Sequence, residues 1–117
     1  MILITIIIKL FALIERGIMS IAVIGGLNRL KRNYENIPKK MGIKVKVYNQ
    51  AVPDLTKRVN SLNGIILFTD TISHNMVKQA VKVARKNKML IVRSHSSSIS
   101  GLKRCLSEIQ TQLNNNN

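Results

Sequence analysis

The stretch Ile65-Ile-Leu-Phe-Thr-Asp-Thr-Ile-Ser-His-Asn-Met76 decides the fold. Its first residues are apolar and follow the turn pair Asn63-Gly64, so they predict a short buried strand over 65–69. A helix then begins at Ser73, whose hydroxyl can accept a hydrogen bond from an amide of the first helical turn. Small polar groups therefore collect where the strand ends, which is where open α/β sheets bind ligands.

Three further strand–helix units surround this junction. Apolar or alternating runs predict strands over 21–24, 43–48 and 89–92, and the strict alternation of 43–48 places it at a sheet edge. Right-handed crossovers favour the strand order 2-1-3-4. We therefore predict one three-layer α/β domain over residues 19–113, Rossmann-like or flavodoxin-like, with a four-stranded parallel sheet. Apolar periodicity predicts helices over 27–41, 53–62, 73–87 and 99–113, and Pro38 should break or kink the first.

The two ends of the chain differ from this domain. Residues 1–14 are apolar apart from Thr5 and Lys9, but a bilayer span needs ~20 such residues. Glu15-Arg-Gly can be encoded by a purine run of the ribosome-binding type, shortly before Met19. We therefore expect residues 1–18 to be a translated leader, with a membrane-surface anchor or an extra edge strand as alternatives. We predict a disordered tail over residues 114–117.

The charge balance limits the kinds of partner. The chain has 19 lysines and arginines against five acidic residues, and its net charge of +14 favours nucleic acid, nucleotides, other polyanions or anionic lipid. The single cysteine, Cys105, excludes an intrachain disulfide and fits the reducing cytoplasm. His74 and His95 lack a third ligand at metal-binding spacing, so we predict no metal site and no cofactor.

Three polar loops should meet at one edge of the sheet, because the carboxyl ends of parallel strands lie together. Gly25-Gly26 could bring amides close to a phosphate, or could form only a tight turn. Arg93 and the serines after it could form an anion cradle, or a solvated loop that caps the next helix. Asp70 could bind a ribose hydroxyl, or hold His74 or Arg93 in place. The predicted ligand-binding residues are Gly25, Gly26, Asn28, Arg29, Asp70, Ser73, His74, Asn75, Arg93, Ser94, Ser96, Ser97 and Ser98.

Three functions follow from these patterns. The first is a non-enzymatic binding or regulatory module for a small anionic ligand, a nucleotide or its derivative. The second is a nucleic-acid-binding protein that contacts phosphates without sequence preference. The third is a small hydrolase or transferase using His74 and Asp70, although the G-x-S-x-G motif is absent and we assign no catalytic residue. The residues of the second alternative are Lys31, Arg32, Lys78, Lys82, Arg85 and Lys86.

The motifs Gly25-Gly26, Ser73-His74-Asn75 and Arg93-Ser94 together resemble a bacterial family of small Rossmann-like domains of unknown function. That family occurs in Firmicutes and their mobile elements, and the resemblance covers residues 20–106. It implies the same fold but no established activity. A ligand sponge from a mobile element is one form that the first function could take. This chain departs from the family at His95-Ser96-Ser97, where a Thr-Gly turn is common, and at Pro38. Its small size and its edge strand also lead us to expect a homodimer.

Overall fold

The computed structural model describes residues 2–7, 19–50, 54–59 and 61–115, with side chains up to Gln112. A 3-10 turn spans Asn28–Leu30, directly before the helix that begins at Lys31. The strands are β1 (Met19–Ile24), β2 (Ile43–Tyr48), β3 (Gly64–Phe68) and β4 (Leu90–Ser94). The helices are α1 (residues 2–7), α2 (Lys31–Lys39), α3 (Leu55–Val59), α4 (His74–Lys86) and α5 (Ile99–Asn115).

The four strands form one parallel sheet in the order β2-β1-β3-β4, so the predicted order is confirmed. In the centre, Val23 of β1 lies opposite Val47 and Ile66. On the other side of β3, Ile66 lies opposite Val92 of β4. All carboxyl ends therefore lie at one edge of the sheet, and β2 and β4 are its outer strands.

Alternate residues of the strands pack on opposite faces of the sheet. Ile21 and Val23 belong to a buried cluster that α2 and α5 complete. Ala22 and Ile24 pack on the other face, with residues of α3 and α4. The central strand β3 is buried along its whole length, as expected for a parallel strand covered on both faces. The predicted three-layer α/β class is confirmed.

Helix α2 is shorter than the predicted helix over 27–41. Pro38 stands in its last turn. Because proline lacks an amide hydrogen, it cannot bond to the carbonyl of Tyr34, and the helix ends one residue later, at Lys39. Met41, the last residue of the apolar periodicity that predicted this helix, lies beyond its end and is 38% exposed.

Helices α1 and α5 lie at the two ends of the chain, where the sequence predicted a leader and a tail. Helix α1 is exposed along its length, including its isoleucine and leucine side chains. Its helical backbone excludes the extra edge strand for residues 2–7. The translated leader and the membrane-surface anchor stay predictions. Residues 8–18 lie outside the part of the chain that the structure describes. Helix α5 extends to Asn115 and so includes the first two residues of the predicted tail. Residues 116–117 lie outside the described residues. Among the described helices, none combines the length and hydrophobicity needed to cross a membrane.

Strand β2 is an outer strand, as its alternating sequence predicted. Lys44 and Lys46 are exposed, whereas Val45 and Val47 are half-buried against the cluster of α2 and α5. Lysines on an outer strand hinder its pairing with the strand of another chain. A homodimer therefore stays a prediction, with no interface assigned.

The single cysteine provides a test of the core beneath α5. Cys105 is fully buried, and burial raises the pKa of its thiol, an effect that the nearby Arg104 partly offsets. Since the thiolate is the reactive form, we expect a disulfide reagent to label the folded protein at least about 1,000-fold more slowly than the urea-unfolded chain. Equal labelling rates with and without urea would contradict this placement.

The Cys105 thiol ionises at a lower pH in the unfolded chain than in the folded protein. Its contribution to the free energy of unfolding should therefore fall as the pH rises above about 8.5.

Candidate functional site

Thr71 links the loops at the carboxyl edge of the sheet. Its hydroxyl oxygen accepts a hydrogen bond from the Gly26 amide at 2.7 Å and lies 3.1 Å from the hydroxyl of Ser97. The same hydroxyl donates to the carbonyl of Phe68 at the end of β3. The loops after β1, β3 and β4 therefore meet at one side chain, which was not among the predicted site residues.

The carboxylate of Asp70 holds the loop after β4. It accepts from the Ser97 amide at 3.1 Å and from the Ser97 hydroxyl at 2.6 Å. Ser97 is only 2% exposed, so these bonds satisfy polar groups that are largely removed from water. Asp70 stands just before α4 and Ser97 just after β4. The pair therefore fixes the beginning of α4 relative to the end of β4.

The hydroxyl of Tyr34 adds two more hydrogen bonds to this network. Its hydroxyl donates to the Ser97 carbonyl at 2.6 Å and accepts from the Leu27 amide at 3.0 Å. The side chain is fully buried and packs against Phe68, with 5.2 Å between the ring centroids. Tyr34 lies within the helix predicted over 27–41 but was not among the predicted site residues. The available signal was that a buried tyrosine hydroxyl needs a partner.

The glycine pair is packed closely by these same side chains. A Cβ atom on Gly25 would lie 2.7 Å from Thr71 Oγ1, and one on Gly26 would lie 2.6 Å from the ring of Tyr34. Both glycines also have positive φ angles, +98° and +100°. The close packing and the backbone conformation therefore require glycine at both positions, whether or not a ligand binds there. A phosphate approaching this turn would have to compete with Thr71 for the Gly26 amide.

The serines after Arg93 bond mainly to their own loop. The Ser94 hydroxyl donates to the Ser96 carbonyl at 2.7 Å, and the Ser96 hydroxyl donates to Ser98 at 2.9 Å. Ser98 in turn accepts from the Gly101 amide in the first turn of α5, at 3.1 Å. Arg104 donates to Ser94 from the same helix, at 3.1 Å. These bonds resemble helix capping more than an open cradle.

An open groove of about 530 Å³ runs along α4 beside the outer strand β4. Arg93 reaches it because Val92 points to the α5 side, so the next side chain points to the α4 side. The Ser73 hydroxyl accepts from the Met76 amide, which confirms the predicted helix cap and places His74 in the first turn. The groove is lined by His74, Val77, Lys78, Val81, Lys82, Arg85 and Arg93.

The groove is strongly basic. Lys78, Lys82, Arg85 and Arg93 are all exposed, and none of their side chains has a hydrogen-bond or ion-pair partner among the residues that the structure describes. The described lining contains no carboxylate. Residues 71–107 include no aspartate or glutamate at all. The positive charge of this surface is therefore not neutralised locally.

The loops and the groove both lie in a segment that matches a protein-family model. The family is described as "Uncharacterized protein conserved in bacteria (DUF2325)", and the match covers residues 20–109. The chain belongs to this family. The family resemblance found in the sequence is thus confirmed, and the match includes every residue that lines the groove. Searches of the curated proteins and of the solved structures found no match to the chain.

The structure divides the predicted site residues of this family member into separate groups. His74 and Arg93 line the groove, together with Lys78, Lys82 and Arg85 from the nucleic-acid alternative. The loop network holds Gly25, Gly26, Asp70, Ser94, Ser96, Ser97 and Ser98.

The remaining predicted residues lie outside the groove. Asn28 accepts from the side-chain amide of Asn49 at 2.5 Å, and Arg29 is exposed in the same 3-10 turn. Lys31 and Arg32 are exposed on α2, which covers the opposite face of the sheet. Asn75 and Lys86 are exposed on α4 but do not belong to the lining. Within the described ranges, no three histidine, cysteine or acidic side chains are grouped to bind a metal ion.

Proposed function

We propose that this protein is a binding module for a phosphate-bearing ligand of the nucleotide type, held between Arg93 and α4. One observation carries the proposal: cationic side chains from two elements line a single open groove whose described lining has no carboxylate. The proposal moves the ligand from the Gly25-Gly26 turn to the flank of α4. The closed hydrogen-bond network at that turn supports this choice.

The side chains of the groove suit phosphate oxygens. The guanidinium of Arg93 can donate two parallel hydrogen bonds to one phosphate, and Lys78 adds a mobile point charge. His74 can donate from its ring, and does so with a positive charge when protonated. The Asp70–Ser97 pair holds the two walls of the groove in place before the ligand arrives, which reduces the ordering that binding requires.

We propose binding without turnover. Asp70, the partner of His74 in the enzymatic alternative, already accepts two hydrogen bonds from Ser97. The described lining offers no carboxylate or hydroxyl beside His74 that could act as a nucleophile or orient the imidazole. A protein of this kind would sequester or sense a cytoplasmic nucleotide, in the manner of the expected ligand sponge.

The test is a thermal-shift screen of the full chain against pyrophosphate, mononucleotides, dinucleotides and cyclic nucleotides at moderate salt. A ligand that binds only the folded state raises the melting temperature by mass action. We expect Arg93→Ala to weaken binding by about 10- to 100-fold, since a hydrogen bond to a charged group contributes about 1.5–3 kcal/mol.

Arg32→Ala is the matched control for this experiment. It removes an exposed arginine from α2, on the opposite face of the sheet, and should leave the ligand-induced shift unchanged. A shift that survives Arg93→Ala, or one that Arg32→Ala reduces equally, would contradict the proposed site.

A further inference from the structure

We propose that the groove along α4 takes a single-stranded nucleic acid, whose successive phosphates follow the row His74, Lys78, Lys82 and Arg85. This inference rests on the proposed phosphate site and adds the class of ligand. Three observations carry it: the length of the row, its unpaired charge and the shape of the groove.

The row is longer than one nucleotide can use. His74, Lys78 and Lys82 are spaced by four residues and Arg85 follows three residues later, so all four lie on one flank of α4. A helix rises 1.5 Å per residue, which separates neighbours along the axis by about 4.5–6 Å and makes the row about 16 Å long. A mononucleotide reaches one part of this row. A polynucleotide, whose charge repeats along the strand, brings a phosphate to each position.

The unpaired charge of the row also favours a repeating anion. The like charges of Lys78, Lys82 and Arg85 stand four and three residues apart on the helix and repel each other, and no carboxylate in the described lining relieves this repulsion. A single small anion would neutralise one or two of these groups and leave the others unpaired. A strand of phosphates neutralises all of them and releases its own condensed counterions.

The shape of the groove favours a single strand over a duplex. Helix α4 packs on the sheet, and the row lines the groove between this helix and β4, so these cations do not protrude to enter a major groove about 12 Å wide. Val77 and Val81 are half-buried among the cations and provide small apolar surfaces for sugars or bases. The described lining has no phenylalanine, tyrosine or tryptophan side chain for stacking. Binding therefore depends on phosphates, responds strongly to salt and is indifferent to sequence.

The test is fluorescence anisotropy of the full chain with labelled oligothymidylates and oligouridylates of one to eight nucleotides. The groove variant is K78Q/K82Q/R85Q. The control is K31Q/R32Q/K39Q, which removes three exposed cations from α2 on the opposite face of the sheet. The two variants lose the same charge, so only its position differs, and thermal unfolding verifies that both fold. A preference between the two series identifies whether the groove takes DNA or RNA.

We expect affinity to rise with length up to about four nucleotides, because the row offers one position in each helical turn. Each phosphate contact raises the logarithm (base 10) of the binding constant by about 0.7 at 0.1 M salt, so the groove variant should bind about 100-fold more weakly. The slope of the logarithm of its binding constant against the logarithm of the salt concentration should fall in magnitude by about 2. The α2 variant should lose less than about 3-fold, since long-range charge is largely screened at this salt concentration.

Three results would overturn the inference. The first is an equal loss of affinity in both variants, and the second is tighter binding of a duplex than of a single strand at the same salt. The third is that oligonucleotides bind no better than a mononucleotide. In that third case, a mononucleotide shift lost in Arg93→Ala would still support the proposed function. If no phosphate-bearing ligand binds, both proposals fail.

Discussion

A Gly25→Ala variant is expected to lose about 4 kcal/mol of its free energy of unfolding. Gly25 has a φ of +98°, which alanine adopts only with strain. The added Cβ would also lie 2.9 Å from the carbonyl oxygen of Phe68, at the end of β3. A backbone carbonyl cannot move aside as a flexible side chain does. Since small domains have only about 5–15 kcal/mol in total, this variant would be close to unfolding.

Urea unfolding of the variant and of Gly42→Ala separates the two causes. Gly42 also has a positive φ, +76°, but it lies in the turn before β2, away from Phe68 and Thr71. Gly42→Ala should therefore show mainly the backbone strain, about 1–2 kcal/mol. If both variants lose the same free energy, the close packing of the Gly25 turn is not the main cause.

Tyr34→Phe is expected to lower the free energy of unfolding by about 2–3 kcal/mol, although it removes a single oxygen atom. The hydroxyl is the partner of both the Leu27 amide and the Ser97 carbonyl. Without it, two polar groups in a largely buried region lose their hydrogen bonds. The ring stays in place against Phe68, so lost packing does not contribute.

Tyr48→Phe is the matched control, because Tyr48 is the only other tyrosine of the chain. Its side chain is half-buried, and its hydroxyl has no hydrogen-bond partner among the described residues. It should change the free energy of unfolding by less than about 0.5 kcal/mol. Urea unfolding of both variants makes the comparison, and equal small losses would show that the Tyr34 hydroxyl does not support the loops.

Much of the fold follows from local patterns. The apolar run before Thr69 and the cap at Ser73 predicted β3 and the beginning of α4, and both are confirmed. Right-handed crossovers then left one main arrangement for the four strands, which is the observed order. Boundaries were less predictable, as Pro38 illustrates: it was expected to break a helix, but the pattern alone did not show that Met41 would be exposed.

The site was harder to predict because it depends on the faces of strands and on buried partners. Arg93 was expected to form an anion cradle with the serines after it, but it lies on the outer strand β4 and its side chain lines the groove on the α4 side. The alternation from Val92 to Arg93 contained this information once the face of one residue was known. Thr71 and Tyr34 could not be assigned, because their roles depend on contacts between residues far apart in the chain.

The two walls of the groove depend on this loop network. Asp70 precedes α4, Ser97 follows β4, and their hydrogen bonds join the two segments. The network therefore links the stability of the carboxyl edge to the geometry of the proposed ligand site.

The most direct test of the central claim is to locate the bound ligand by two-dimensional NMR of the ¹⁵N-labelled full chain, titrated with pyrophosphate at moderate salt. We expect the largest amide shift changes at Arg93 and in the first turns of α4, around His74 and Lys78, while Gly25 and Gly26 change little. Largest changes at Gly25, Gly26 and Ser97 would place the ligand at the glycine turn and contradict the groove. Uniformly small changes spread over all basic surfaces would contradict a defined site.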